Sequence, residues 1–151
     1  DSMFYDADPS WSPDGKLIAF TSNRAGDGFR LFAMDADGKN VTQLTTEGNN
    51  NGFVYPSWSP DGKKIAYAHP AAGGLELFVV DIDGKNNKQL TNEGGQNSYA
   101  SWSKDGKRLA FGHFNGERSA LKVIDADGSN AKTIVELPKT PAEGGRVAWK
   151  P

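Results

Sequence analysis

Pro9-Ser-Trp-Ser-Pro-Asp-Gly-Lys-Leu-Ile-Ala-Phe20 decides the fold, because the chain writes this stretch three times and begins it a fourth. It returns as Pro56-Ser-Trp-Ser-Pro-Asp-Gly-Lys-Lys-Ile-Ala-Tyr67 and as Ala100-Ser-Trp-Ser-Lys-Asp-Gly-Lys-Arg-Leu-Ala-Phe111. Its opening half closes the chain as Arg146-Val-Ala-Trp-Lys-Pro151. All four tryptophans, Trp11, Trp58, Trp102 and Trp149, lie in these copies, at intervals of 47, 44 and 47 residues. A fixed period in this range marks a repeat architecture.

Each copy reads as four strands joined by tight turns. Residues 8–12 form a short first strand carrying Trp11. Ser12-Pro13-Asp14-Gly15 has the preferred residues of a type I turn at three positions, with proline presetting the backbone angle and glycine accepting the left-handed conformation that follows. Leu17-Ile-Ala-Phe-Thr21 is apolar throughout, as a strand covered on both faces would be. Gly26-Asp27-Gly28 turns the chain into a third strand, residues 29–34. Asp35-Ala36-Asp37-Gly38 then leads to an alternating fourth strand, residues 41–45. The second copy places strands at 55–59, 63–69, 75–80 and 87–91, and the third at 99–103, 107–113, 119–124 and 131–135. No segment has a helical period.

A four-stranded unit of this size has two apolar faces and cannot cover them alone. Stacking such units radially does so, which is a β-propeller, with the periodic tryptophan as an inter-blade packing residue. The fold expected is therefore all-β: blade 1 over about 7–46, blade 2 over 54–92, blade 3 over 98–136, and the innermost strand of a further blade at 145–150. Thirteen strands make three blades and one strand. A propeller ordinarily has about four to eight blades, so the segment is incomplete as a monomer. A second copy of itself or missing blades must close the ring.

The repeated string, followed by Asp-x-Asp-Gly and then Gln-Leu-Thr, resembles the PD40 repeat, the WD40-like propeller repeat of TolB-type proteins. The third copy departs from it at Lys104, where the others have proline, and at Thr133-Ile134-Val135, where they have Gln-Leu-Thr. The resemblance implies a propeller with the tryptophan strand innermost and the Gln-Leu-Thr strand outermost. It also implies a periplasmic or extracellular protein that binds protein partners. Related repeats occur in the non-catalytic propellers of some peptidases and in oligogalacturonate lyases, so the motif fixes architecture and leaves function open.

Composition narrows the field of activities. A net charge of −2 and a pI near 5.7 give no global pull toward nucleic acid or anionic membrane, and no stretch approaches the ~20 apolar residues of a membrane span. Without cysteine there are no disulfides, thiolate metal sites or cysteine nucleophiles. The Asp-x-Asp-Gly motifs at 35–38, 81–84 and 125–128 invite a calcium reading, but Lys39-Asn40, Lys85-Asn86 and Ser129-Asn130 do not continue a calcium loop. A turn whose carboxylates bond nearby amides is the simpler reading. His69 and His113 occupy equivalent positions at the ends of second strands, with Ser22 as their counterpart, and read as structural or surface histidines. No Gly-x-Ser-x-Gly elbow and no phosphate-binding loop occurs. No catalytic residue, cofactor or metal is assigned.

The segments that differ between copies link each outer strand to the next inner one and enter one end of the central funnel. Loops on a rigid scaffold are where function usually lives. The partner-binding candidates are Tyr5, Asp6, Asp8, Asn51, Phe53, Tyr55, Gln96, Asn97, Tyr99, Glu143 and Arg146. The function expected is a non-catalytic protein-interaction scaffold binding through these funnel-face loops. The alternatives are the propeller of a larger hydrolase or lyase whose catalytic residues lie elsewhere, and a carbohydrate-binding module with Phe53, Tyr55 and Tyr99 as stacking platforms.

Overall fold

A computed structural model describes residues 4–48 and 54–137. They form twelve strands and no helix. Blade 1 is the antiparallel meander β1 (Asp6–Trp11), β2 (Leu17–Ser22), β3 (Arg30–Asp35) and β4 (Thr42–Gln43), hydrogen-bonded in that order. Blade 2 is β5 (Ser57–Trp58), β6 (Lys64–Ala71), β7 (Gly74–Asp81) and β8 (Lys88–Gln89). Blade 3 is β9 (Gly95–Trp102), β10 (Arg108–Phe114), β11 (Ser119–Asp125) and β12 (Lys132–Leu137). The strand expected at 145–150 lies outside the described residues.

The turns form as their side chains dictate. The hydroxyls of Ser12, Ser59 and Ser103 donate to Asp14, Asp61 and Asp105 Oδ1 at 2.6–2.7 Å and accept the N–H five residues on. The serine hydroxyl is the main reason each of these aspartates is held below the usual carboxylate range. In the other turn family, Asp35, Asp81 and Asp125 accept from the Nδ2 of Asn40, Asn86 and Asn130 at 2.6–2.7 Å. Those asparagines sit at φ 52°, 51° and 54°, a left-handed conformation that asparagine tolerates better than most residues. The carboxylates of the second aspartates accept the backbone N–H of Lys39, Lys85 and Ser129. These acids build turns, as expected.

The outer strands differ from expectation. Residues 41–45 and 87–91 were expected as full strands, yet β4 and β8 have two residues each. The cause lies in the Gln-Leu-Thr sequence. Thr45 and Thr91 Oγ1 accept the N–H of Leu31 and Leu77 at 3.1 and 2.9 Å, taking the place of a ladder carbonyl. Gln43 and Gln89 Nε2 donate to the carbonyls of Thr45 and Thr91, both at 2.7 Å. The chain is thereby freed to leave the sheet. Val135 has no hydroxyl, and β12 runs on for six residues.

Blades stack through contacts repeated at both junctions. Trp58 Nε1 donates to Ser10 O at 2.9 Å, and Trp102 Nε1 to Ser57 O at 3.0 Å. Gly84 packs on the backbone of Leu44 and Gly128 on that of Leu90, while Gly62 meets Pro13 and Gly106 meets Pro60. The apolar core is accordingly two layers. One holds Leu31, Leu44, Trp58, Ile65 and Val80; the other holds Leu77, Leu90, Trp102, Phe111 and Ile124. Blades 2 and 3 are also sewn together by backbone, with β7 parallel to β9 at Gly74↔Gly95 and Leu75↔Gln96.

The end blades lack these partners among the described residues. Trp58 and Trp102 are 8% exposed, whereas Trp11 is 58% exposed. Ile134, at the position of the buried Leu44 and Leu90, is 48% exposed, with Val135 and Leu137 beside it. Three blades leave two open faces, so the chain is an incomplete propeller.

Candidate functional site

The alternation of turns and links gives the stack two ends. The Ser-Pro-Asp-Gly and Asp-x-Asp-Gly turns lie at one end. The inter-blade connections and the loops at 23–29, 72–73 and 115–118 lie at the other, around the entry of the inner strands. The turn end carries a groove of about 400 Å³ between blades 2 and 3, lined by Pro60, Asp61, Lys64, Trp102 and Lys104 among others. Lys64 is paired there with Asp81 at 2.5 Å, and the aspartates are engaged by their own turns. The connection end holds the less ordinary geometry.

Asp8, Tyr55 and Tyr99 each stand three residues before their tryptophan, and their φ angles are 51°, 49° and 56°. Left-handed backbone costs a non-glycine residue roughly 1–2 kcal/mol. The strand pairing slips at these places, between Ala7 and Ser10 in β1 and between Ser98 and Ser101 in β9. Bulges re-aim side chains, and Tyr99, at the slip in β9, faces Tyr55 of the preceding blade. The Tyr55 and Tyr99 ring centroids lie 4.2 Å apart with a 39° tilt. Asp8, Tyr55 and Tyr99 are all half-buried. Each ring covers part of the other's face, which reduces their value as open sugar-stacking platforms.

The remaining candidates divide. Tyr5 is exposed, packs edge-on against Phe29, and donates its N–H to Asn23 Oδ1 at 2.8 Å. Asp6 pairs with Arg24 at 3.0 Å, and that guanidinium lies over the rings of Phe20 and Phe32 at 4.9 and 5.4 Å. Gln96 is exposed near the start of β9, opposite Leu75 of β7. Asn97 is 0% exposed, its side chain turned inward. Asn51, Phe53, Glu143 and Arg146 lie outside the described residues.

Two residues that the sequence reading passed over hold this end together. Glu76 is the third residue of β7 and is 0% exposed. Its carboxylate accepts from the Thr91 hydroxyl, from the Gly94 N–H at 2.8 Å and from Asn97 Nδ2 at 2.9 Å. Asn97 Nδ2 also reaches the carbonyls of Leu75 and Gly94, both at 3.2 Å, so its Oδ1 is the acceptor for His113 Nδ1–H at 2.8 Å. Glu93, on the same connection, pairs with Lys122 and lies 4.0 Å from His113 Nδ1. Burial lowers the His113 pKa below its ordinary value, Glu93 opposing and Lys122 assisting. The network ties the connection 91–97 to both blades it joins.

Arg30 holds the matching place in blade 1, donating to Thr46 O at 2.9 Å and to Asp27 at 2.5 Å. A signal for both was present in the sequence. Phe29-Arg30-Leu31 and Leu75-Glu76-Leu77 each set one charge inside an apolar run at equivalent repeat positions. His113 is held within the Glu76 network, and His69 donates Nδ1–H to Pro70 O at 2.8 Å. No group of three or more potential metal-ligating acids and histidines occurs among the described residues, and no helix there is long and apolar enough to cross a membrane.

Comparison with known proteins agrees with this geometry. Among solved structures, the Agrobacterium tumefaciens chain designated TolB matches at 26% identity and a TM-score of 0.73, over 85% of this chain and 48% of that one. TolB of Acinetobacter baumannii matches at 25% identity and a TM-score of 0.67, over 84% of this chain and 31% of that one. An uncharacterized peptidase of Bacillus subtilis, YuxL, is 47% identical over 38 residues, which is 25% of this chain and 6% of the peptidase. The chain thus spans less than half the length of each. The family model of the TolB β-propeller domain, PD40, matches residues 1–138. With its tryptophan-to-carbonyl blade contacts repeated at both junctions, the chain belongs to the PD40 family of TolB β-propeller domains.

Proposed function

We propose that the chain is a non-catalytic protein-interaction scaffold outside the cytoplasm, binding a protein partner at the connection end of the propeller. One observation carries this reading. Asp8, Tyr55 and Tyr99 hold left-handed backbone at the same repeat position of three blades, and the Tyr55 and Tyr99 rings meet across the junction of blades 2 and 3. Locally stored strain of this kind clusters at functional sites. The buried Glu76 network gives the neighbouring connection a fixed shape, which lowers the ordering cost of binding. Likeness to TolB proteins supports a binding role and a periplasmic location. The open faces of blades 1 and 3 call for blades of the same repeat, supplied by a longer chain or by a second copy.

A second reading is favoured by the YuxL match: the propeller of a larger peptidase, with the catalytic residues elsewhere. Both readings place recognition at the same end. The test is capture from an envelope or secreted extract by the chain and two variants. Tyr55→Ala with Tyr99→Ala should lose the captured protein at least tenfold, while Asp37→Ala with Lys85→Ala at the turn end should not. The opposite pattern would sink the proposal.

A further inference from the structure

We infer that the chain's own segment 146–150, which lies outside the described residues, docks on the outward face of blade 3, seating Trp149 against Ser101 and stacking Arg146 on Tyr99. This docking is independent of what the connection end binds.

Burial on blade 3 points to an occupant. Each blade turns one face toward the next, and the repeat position decides which residues that face carries. Blade 1 presents Ala19, Leu31, Ala33 and Leu44 to the layer of Trp58, and blade 2 presents Ala66, Leu77, Val79 and Leu90 to the layer of Trp102. The same positions in blade 3 are Ala110, Leu121, Val123 and Ile134. Ala110 is 3% exposed and Val123 7%, yet neither belongs to either core layer. Leu121 is half-buried and Ile134 is 48% exposed. Burial therefore fades from β10 outward to β12. The free face of blade 1 behaves differently. Ile18 and Met34 in its central strands are half-buried there, while their counterparts Ile65, Leu109, Val80 and Ile124 are 1% exposed or less. The inner half of blade 3 is covered as a single strand seated beside β9 would cover it.

The segment 146–150 has the length and the residues for that seat. The link 138–145 reaches about 26 Å when extended, and β9 lies three strand spacings, about 14 Å, from β12. Trp149 follows Trp102 by 47 residues, as Trp58 follows Trp11. At each described junction the tryptophan donates to the carbonyl of the residue before the preceding tryptophan, Trp58 to Ser10 and Trp102 to Ser57. Trp149 on Ser101 continues the series.

The register then fixes the place of Arg146. Tyr55 and Tyr99 each stand three residues before their tryptophan, and one blade step brings their ring centroids to 4.2 Å. Arg146 stands three residues before Trp149. The same step lays its guanidinium on the face of Tyr99 turned away from Tyr55, a planar cation on an aromatic ring.

The test uses the full chain labelled with 5-fluorotryptophan, one fluorine resonance per tryptophan, with that of Trp149 identified by its loss in Trp149→Phe. Broadening by a soluble gadolinium chelate reports the exposure of each indole. The expected result is a Trp149 broadened at least fivefold less than Trp11 and no more than twice as much as Trp58 and Trp102. The Arg146 δ-protons should be shifted upfield by the Tyr99 ring current, and the shift should vanish in Tyr99→Leu while the Trp58 resonance stays in place. A Trp149 as accessible as Trp11 overturns the docking. A protected Trp149 with no upfield shift at Arg146 overturns the register that puts Arg146 on Tyr99. Protection that fades on tenfold dilution assigns the seat to the segment of a second copy and overturns docking within the chain.

Discussion

Replacing Glu76 by alanine tests whether a buried charge organises the binding end. The carboxylate is fully buried and accepts from three donors, the Thr91 hydroxyl, the Gly94 N–H and Asn97 Nδ2. Hydrogen bonds to a charged group are worth roughly 1.5–3 kcal/mol each, and a buried donor left unsatisfied costs about 1–3 kcal/mol. Against this stands the desolvation of the carboxylate, several kcal/mol in the native state and relieved on its removal. Asn97 keeps the Leu75 and Gly94 carbonyls, whereas the Gly94 N–H and the Thr91 hydroxyl hydrogen, whose oxygen only accepts from Leu77 N–H, both lose their acceptor. The net loss is about 3 kcal/mol, which for a chain of this length lowers the melting temperature by roughly 6–12 °C. Glu76→Gln keeps the volume but turns an amide donor toward existing donors, and should recover less than half of the loss. Urea unfolding gives the free energy, and hydrogen exchange at the Gly94 amide reports the connection directly. A loss below about 0.5 kcal/mol with unchanged exchange at Gly94 would refute the reasoning.

Three further predictions follow from the blade contacts and the histidine. Trp58→Ala and Trp102→Ala should each cost about 3–5 kcal/mol in chemical denaturation, whereas Trp11→Ala, at an open face, should cost about 1 kcal/mol or less; equal losses would contradict the stacking described. At Gly74, φ is 153° and a Cβ would lie 1.8 Å from Gly95 O, so Gly74→Ala should cost more than about 3 kcal/mol. Gly15→Ala, at φ 71° with open space around it, should cost only about 1–2 kcal/mol, and a reversal in thermal melts would disprove the β7–β9 seam. His113 titrates below its ordinary value when folded because burial disfavours the cation, so its contribution is full above about pH 6.5 and is lost as pH falls from there through the folded pKa. The groups facing it are Glu93, Lys122 and Glu76; stability measured from pH 7.5 to 5 should fall more in the wild type than in His113→Gln, and parallel curves would count against it.

Much of the architecture is legible in the sequence because its determinants are local and repeated. Ser-Pro-Asp-Gly forms its turn from its own hydroxyl and carboxylate, so the turn can be read without knowledge of the rest of the chain. The tryptophan period locates the blades, and the mismatch between Trp11 and its buried counterparts follows from counting them. The ends of the outer strands are less legible, because they depend on a threonine hydroxyl replacing a carbonyl across the sheet. The substitution of Val135 for that threonine is visible in the sequence, but its consequence, a six-residue β12, is not. Among the candidate residues, Tyr55 and Tyr99 come together because the blade period places them at the same position of neighbouring blades. Asn97 is drawn inward by the buried Glu76 carboxylate, a partner 21 residues away in the chain that its loop position does not reveal.

The account's central claim is that recognition happens where the inner strands converge and away from the turn end. Its most direct test places a photo-crosslinking benzoylphenylalanine at Tyr99, at Gln96 and, at the opposite end, at Lys107, and irradiates each in the presence of the captured partner. The account predicts covalent adducts from positions 99 and 96 and none from 107. Adducts from 107 with none from the other two would contradict it.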